Sequence, residues 1–259
     1  MITLVLGLTF GTAQGWGSGP ALAALATALG LAVWFGRRER SSAHPLIEPA
    51  LRRIGSLRAG AAAATLYMAS VGSEFYLVTL LLQTMRHESP VRAGLAFLPL
   101  ALCVTVGATA TGRLVRRFGV TRALAAGFGL AVAGLAWLAV TVRVGYPAGL
   151  LPGLLVSGAG HGIIYTATFI LGARDVPTEH QGTSGALLTT AQYLAGAVTL
   201  ALLTLVLGRV PGYAGFGVAF AHTAAAAAAG GVVAAGSGPG ARVMAPAATA
   251  SPCGPPDAG

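Results

Sequence analysis

The sequence predicts an all-α integral membrane protein, a helical bundle of about eight transmembrane spans. Three observations predict it. Of the 259 residues, 55% are hydrophobic and only 9% charged, where a soluble domain carries roughly a quarter charged. The mean hydropathy is +0.75, which also excludes disorder for the bulk of the chain. Apolar runs of helical length recur from end to end, with no ten-residue alternation of the kind a membrane β-barrel needs.

The runs follow one another as Ile2 to Gln14, Pro20 to Phe35, Ala59 to Leu82, Ala93 to Thr111, Ala123 to Val142, Gly149 to Gly172, Gly185 to Leu207 and Gly217 to Ala235. The first is short for a span at about 1.5 Å per residue. The last contains Ala224 to Ala229 and is barely hydrophobic enough for a span. Between the second and third runs, His44 to Arg58 mixes apolar and basic residues and is expected to lie along the inner membrane surface. From Ser237 onward, Gly, Pro, Ala and Ser form a low-complexity tail expected to be disordered.

The net charge is +9, and all sixteen basic residues are arginine. Without lysine there is no P-loop phosphate site and no Schiff-base chemistry. The arginines sit in short loops, which suits an anionic leaflet and not a nucleic-acid groove. If the loop after the second run is cytoplasmic, that side holds Arg37, Arg38, Arg40, Arg52, Arg53, Arg58, Arg113, Arg116, Arg117, Arg122, Arg174 and Arg242. The other side holds only Arg86, Arg92, Arg143 and Arg209. The positive-inside rule therefore predicts a multi-pass cell-membrane protein with a cytoplasmic C-terminal tail. Cys103 and Cys253 make neither a disulfide framework nor a metal site. Met1 opens directly into an apolar run, so no cleavable signal peptide is expected.

Several stretches carry a resemblance. Gly15-Trp16-Gly17-Ser18 forms a turn signal between the first two runs, and Arg37-Arg38-Glu39-Arg40 precedes His44-Pro45-Leu46. Leu82-Gln83 precedes Ser89-Pro90-Val91-Arg92-Ala93-Gly94-Leu95 and Leu98-Pro99. Gly112-Arg113-Leu114-Val115-Arg116-Arg117-Phe118-Gly119 follows, and then Gly182-Thr183-Ser184-Gly185 with Thr190-Ala191-Gln192. In this order they resemble the C-terminal part of a fourteen-span drug:proton antiporter of the EmrB/QacA type in the major facilitator superfamily. The resemblance covers roughly residues 1 to 236.

That resemblance implies residues 1–36 as two extra central spans, the first truncated, and 37–58 as a cytoplasmic basic linker. It implies 59–236 as the C-terminal six-helix transporter bundle, followed by the tail at 237–259. Such transporters resemble two six-helix bundles that rock about a shared cavity. The family's first six spans are missing, so the chain is expected to be a truncated or half-transporter. Its function would be proton-coupled efflux of small amphipathic compounds or drugs. Its partners would be the lipid bilayer, a small-molecule substrate, and a separate N-terminal half or a second copy. The alternative is a non-transporting membrane remnant or interaction protein. No cofactor and no metal are expected. No cluster of acid, histidine and nucleophile points to an enzyme.

Glu74 is the one carboxylate deep inside a predicted span. An intramembrane ionisable group costs a few kcal/mol and faces a cavity or a partner. Tyr67, Ser70 and Glu74 follow i, i+3, i+7 and share a face of a regular helix. Glu74 is thus a candidate proton-coupling group or, alternatively, a protonated acid bonded within the bundle. His161 lies in Gly158-Ala159-Gly160-His161-Gly162, on one face with Ser157, Tyr165 and Thr168. It is a second candidate for proton coupling, set against simple glycine-mediated helix packing. Tyr67, Ser70, Tyr165, Thr168 and Gln192 are candidate cavity residues, with interhelical hydrogen bonding the equal alternative for Gln192. Gln83 and Arg86 belong near the external end and are expected to anchor the membrane interface. Gly112, Arg113, Arg116, Arg117 and Gly119 form a loop motif that resembles a conformational latch or is a solvated basic loop. There Arg116 stands where the family has an acid. The G-x-x-x-G spacings at Gly7, Gly11 and Gly15 and at Gly149 and Gly153 are compatible with close packing.

Overall fold

The computed structural model describes residues 18–41 and 50–237, together with Glu48 and isolated positions before residue 12. Among the described residues from 18 onward, seven helices follow one another: α1 (Gly19–Ser41), α2 (Gly55–Met85), α3 (Pro90–Phe118), α4 (Val120–Thr141), α5 (Tyr146–Ala173), α6 (Thr178–Arg209) and α7 (Gly212–Gly236). Helices α2 to α7 are each long and apolar enough to cross a membrane, and no strand occurs among the described residues. The chain folds as an all-α membrane bundle. The second predicted run falls inside α1, whose apolar part ends at Leu31. The first run, bar isolated positions, and Gly15–Gly17, His44–Ile47 and 238–259 lie outside the described residues.

Short connections force consecutive spans to run antiparallel. Ser89 caps α3 by accepting from the Arg92 backbone N–H at 3.4 Å, with Pro90 in the first turn. Between α3 and α4 the chain reverses at Gly119 alone, with φ of +84°, a conformation that favours glycine. Arg86 stitches the opposite end, donating to the carbonyls of Val142 at 3.2 Å and Val144 at 2.5 Å just past the end of α4.

Two helices occupy the middle. Helix α5 packs against α2, α3 and α4, and α2 packs against α5, α6 and α7. The core between them includes Leu77, Leu81, Phe128, Leu135, Leu154, Ile164 and Phe220, all fully buried. Helices α3 and α6 bury the smallest share of their residues. They expose aliphatic rows, Leu98, Leu102 and Val106 on α3 and Leu194, Val198 and Leu202 on α6.

The stretch before α2 differs in part from the expectation that it lies along the membrane. Leu51 and Leu57 are buried with Val176, beside Ile54 and Leu187, while Arg52 and Arg53 are exposed. Its apolar side therefore closes the end of the bundle instead of facing lipid. Nearby, Arg174 makes two 3.2 Å hydrogen bonds to Asp175. These hold the Asp175 carboxyl below the usual carboxylate range.

Candidate functional site

The seam between α2 and α5 brings together the ionisable and polar candidates. Ser157 Oγ donates to Glu74 Oε1 at 2.7 Å. One turn along α5, His161 Nε2 and the Tyr67 hydroxyl share a hydrogen bond of 2.6 Å, the donor being set by the imidazole tautomer. Glu74 is fully buried, four residues past the centre of its helix and thus about 6 Å from the midplane. Among the described residues its Oε2 has no partner, and neither has His161 Nδ1. A buried polar group left unpaired costs about 1–3 kcal/mol. This seam therefore holds two unmet hydrogen-bonding atoms that a proton, a water or a ligand group can satisfy.

Local backbone sets this geometry. Between Tyr67 and Glu74 the helix opens into a π turn at Met68–Gly72, and Ser73 Oγ donates to Met68 O at 2.8 Å across it. The wider turn changes the register between Tyr67 and Glu74, and both side chains reach α5, at His161 and Ser157. The Met68 thioether folds against Gly72 and Gly196, where any Cβ would collide or crowd.

On the other side of the seam, glycines position His161. A Cβ on Gly162 would land on the Val104 carbonyl of α3, and one on Gly160 would lie 2.6 Å from the Gly127 carbonyl of α4. The backbone of α5 thus lies against both neighbours at once. Its next exposed direction, taken by His161, faces α2. Glycine packing and a polar histidine are both present in the one motif. Gly149 and Gly153 serve the same α4–α5 contact, and Trp137 Nε1 donates to Gly149 O at 2.9 Å.

An aromatic row crosses the seam. Phe97 and Phe75 stack at 5.2 Å between ring centres, Phe75 meets His161 edge-on at 5.7 Å, and His161 meets Tyr67 edge-on at 5.0 Å. Tyr67 reaches Tyr165 at 5.8 Å, and Tyr165 reaches Phe169 at 5.1 Å. Phe75, Phe97 and Phe169 have no polar atom to mark them in a hydrophobic run, and only their place beside Glu74, Leu98 and Thr168 hints at this row.

The remaining candidates scatter. Ser70 is fully buried but donates to its own helix, to Leu66 O at 2.6 Å and Tyr67 O at 3.1 Å. Thr168 is fully buried with an unpartnered hydroxyl, and Tyr165 is 47% exposed. Gln192 is buried on α6 with its Nε2 unpartnered. In the loop motif, Arg116 folds back across Gly112, and the Arg117 guanidinium lies 5.2 Å from the Phe118 ring centre. Among the described residues, no carboxylate pairs with Arg113, Arg116 or Arg117. Also among the described residues, no group of three or more His, Cys, Asp or Glu is placed to hold a metal ion.

A bundle of apolar helices with a buried polar seam defines a polytopic membrane protein of transporter type. Residues 1–200 match the family model described as Major Facilitator Superfamily. The chain belongs to that superfamily, whose members are membrane transporters, and it is not an enzyme. It is 34% identical to the "Probable actinorhodin transporter" of Streptomyces coelicolor over 213 residues, covering 77% of this chain and 36% of the relative. It is 31% identical over 204 residues to the "Tetracenomycin C resistance and export protein" of Streptomyces glaucescens, covering 78% and 38%. The chain thus spans a little over a third of these relatives' length. In fold it is similar to a bacterial homologue of the iron transporter ferroportin in its outward-facing state. The TM-score there is 0.55 at 19% identity, over 70% of this chain and 45% of that one.

Proposed function

We propose that this chain forms one wall of a proton-coupled efflux transporter for small amphipathic compounds, with Glu74 as the group that carries the proton. The observation that supports it is the fully buried Glu74 carboxyl with one oxygen bonded to Ser157 and the other unpartnered. Intramembrane carboxyls of this kind mark ion and substrate paths, because their charge is costly unless a cavity or partner answers it. The export named for the related Streptomyces glaucescens protein supports the same direction of transport.

In this reading the protonated carboxyl is neutral and lets the bundle close around it. The ionised carboxyl favours a cavity open to water or to a cationic, amphipathic solute. Proton and solute then compete for one group, which couples their opposite movements as the bundle rocks. His161 is the second candidate on the same seam, one turn from Ser157. Tyr67, Tyr165, Thr168 and Gln192 would line the wall, with Ser70 behind it. The exposed faces of α3 and α6 would receive a second wall, from a separate N-terminal bundle or a second copy. Residues 59–236 would be the transport unit, 37–58 its cytoplasmic linker and 1–36 two further spans. Arginine placement supports a tail on the cytoplasmic side of the cell membrane. In the loop motif, Gly112, Arg113, Arg116, Arg117 and Gly119 would brace the turn between α3 and α4 as the bundles move.

The test is efflux of a cationic dye such as ethidium from proteoliposomes under an imposed proton gradient. The full chain is reconstituted with a separately expressed N-terminal half of a related exporter. Wild type is expected to accelerate efflux when the gradient is applied. Glu74→Gln keeps the size and hydrogen bonding of the protonated acid and is expected to fold normally yet lose that acceleration. An unchanged gradient response in Glu74→Gln would remove Glu74 from the coupling role and move the search to His161.

A further inference from the structure

We propose that the cavity at the turn between α3 and α4 is a binding site for the phosphate of an anionic phospholipid. It lies at the arginine-rich end of the bundle, apart from the Glu74 seam, and does not depend on the transport reading. The cavity measures about 280 Å³ and is lined by Phe118, Gly119, Val120, Thr121, Arg122 and Arg174. Helix α3 ends here, α4 begins, and α5 ends one residue before Arg174. The cavity therefore sits level with the ends of three spans, at the depth of the headgroups. It is small for a drug-sized solute, whose pockets run from about 300 to 1,000 Å³. Its lining divides as a phospholipid does. Phe118 and Val120 are apolar, with Phe118 50% exposed, while Arg122, Arg174 and the Thr121 hydroxyl are polar. Basic pockets between spans are a recurring form of headgroup site.

Two guanidinia from separate elements face this cavity, and the protein leaves their charge largely unanswered. Arg122 is the third residue of α4, whose first turn has no acidic residue and whose N-cap, Gly119, brings no side-chain acceptor. The positive end of a helix dipole disfavours a cation there and favours an anion. Arg113, Arg116 and Arg117 stand on the last two turns of α3. Among the described residues no carboxylate pairs with any of them or with Arg122. Arg174 donates to Asp175 through Nε and Nη2, which leaves Nη1 for a ligand. Asp175 itself does not line the cavity. A phosphate here would accept from the Arg122 and Arg174 forks, the donors whose geometry suits its oxygens. It would also offset the unfavourable position of Arg122 on its helix. Inorganic phosphate would meet the same donors and leave Phe118 uncovered. A phospholipid answers the arginines and covers the ring as well.

The probe is dioleoylphosphatidylglycerol, titrated into the full chain in detergent, with bound lipid read by native mass spectrometry and stability by thermal unfolding. It is expected to bind at lower concentration than dioleoylphosphatidylcholine and to raise the unfolding temperature. Arg122→Gln is expected to weaken phosphatidylglycerol about three- to tenfold, the effect of one basic residue beside an anionic headgroup, and to remove that rise. Without lipid, Arg122→Gln is expected to unfold no earlier than wild type, because it takes a cation away from a helix N-terminus. An arginine with a merely structural role would lose stability instead. Arg122→Lys keeps the charge but not the fork and is expected to fall between. Arg209→Gln, exposed at the opposite end, is expected to keep wild-type affinity. The double variant Arg174→Gln, Asp175→Asn approaches the cavity from α5 and carries the same test should Arg122→Gln fail to fold. Inorganic phosphate is expected not to displace the lipid; full displacement would make this a free-anion site and overturn the lipid assignment. Wild-type affinity for phosphatidylglycerol in the Arg122 and Arg174 variants, or equal affinity for phosphatidylcholine, would overturn it too.

Discussion

Ser157 satisfies one oxygen of Glu74 while the other meets nothing, so the pair sits near the edge of what a dry interior tolerates. Removing the donor leaves both oxygens unpaired. Ser157→Ala is therefore expected to lower stability by about 1–3 kcal/mol, read as a lower unfolding temperature of the purified protein in detergent. Ser157→Cys, similar in size but a weak donor, is expected to fall between the two. A Ser157→Ala protein that unfolds with wild type would show that the hydrogen bond contributes nothing net. Glu74 was legible in the sequence because a carboxyl inside an apolar run has no routine explanation there. Its partner was not. Serine and threonine in mid-helix ordinarily bond their own backbone one turn back, as Thr84, Thr105 and Thr189 do here. Ser70 follows that habit, whereas Ser157 keeps only a 3.4 Å contact to Leu154 O and reaches Glu74 at 2.7 Å, and only the packing of α5 on α2 distinguishes them.

Helix α5 carries glycine where its backbone crosses two neighbours, and the cost of a methyl group there is set by what it would strike. At Gly162 a Cβ would meet the Val104 carbonyl and lie 2.6 Å from the Ala108 backbone nitrogen, neither of which can move aside without moving α3. Gly129 on α4 has nothing within 4 Å. Gly162→Ala is expected to cost about 1–3 kcal/mol through overpacking. Gly129→Ala is expected to be neutral or to gain up to about 1 kcal/mol from helix propensity. Thermal unfolding of the two variants side by side checks both, and equal stability would show that the α3–α5 approach is looser than described. The six long spans were all legible as apolar runs, with ends drawn in by a few residues. Helix α6 starts at Thr178 rather than Gly185 because Thr178 to Ser184 is polar, and polar residues continue a helix outside the hydrocarbon. The π turn at Met68–Gly72 was not legible. Met-Ala-Ser-Val-Gly fits a regular helix equally well, and the distortion becomes visible only through Ser73 Oγ reaching five residues back to Met68 O.

At the scale of the molecule, two features follow from how charge and apolar surface are distributed over the bundle. Arg113, Arg116, Arg117, Arg122 and Arg174 gather at one end, while Arg86, one of four at the other, is held by carbonyls beyond α4. With native cysteines replaced, membrane-impermeant labelling is expected at cysteines substituted for Ser89 and Pro211, and not at Ser41 or Gln181. External labelling at Ser41 would reverse the orientation drawn from the arginines. The second feature concerns completeness of the transport path. Glu74, His161 and the aromatic row stand on one side of any space they line, and α3 and α6 present largely aliphatic faces that nothing covers among the described residues. Rocking transport needs an opposing wall that moves against this one. Expressed alone, the chain is accordingly expected to insert into membranes and to confer no dye efflux as a monomer. Supplying an N-terminal bundle from a related exporter is expected to restore gradient-driven efflux. A second copy is the competing source of the wall, so the oligomeric state is measured in the same preparation, by crosslinking cysteines placed at Leu102 and Leu202 on the exposed faces. Efflux with crosslinks between copies would assign the wall to a second copy. Vigorous efflux from a preparation that is monomeric by the same measure would show that one bundle suffices, and the two-wall reading would fall.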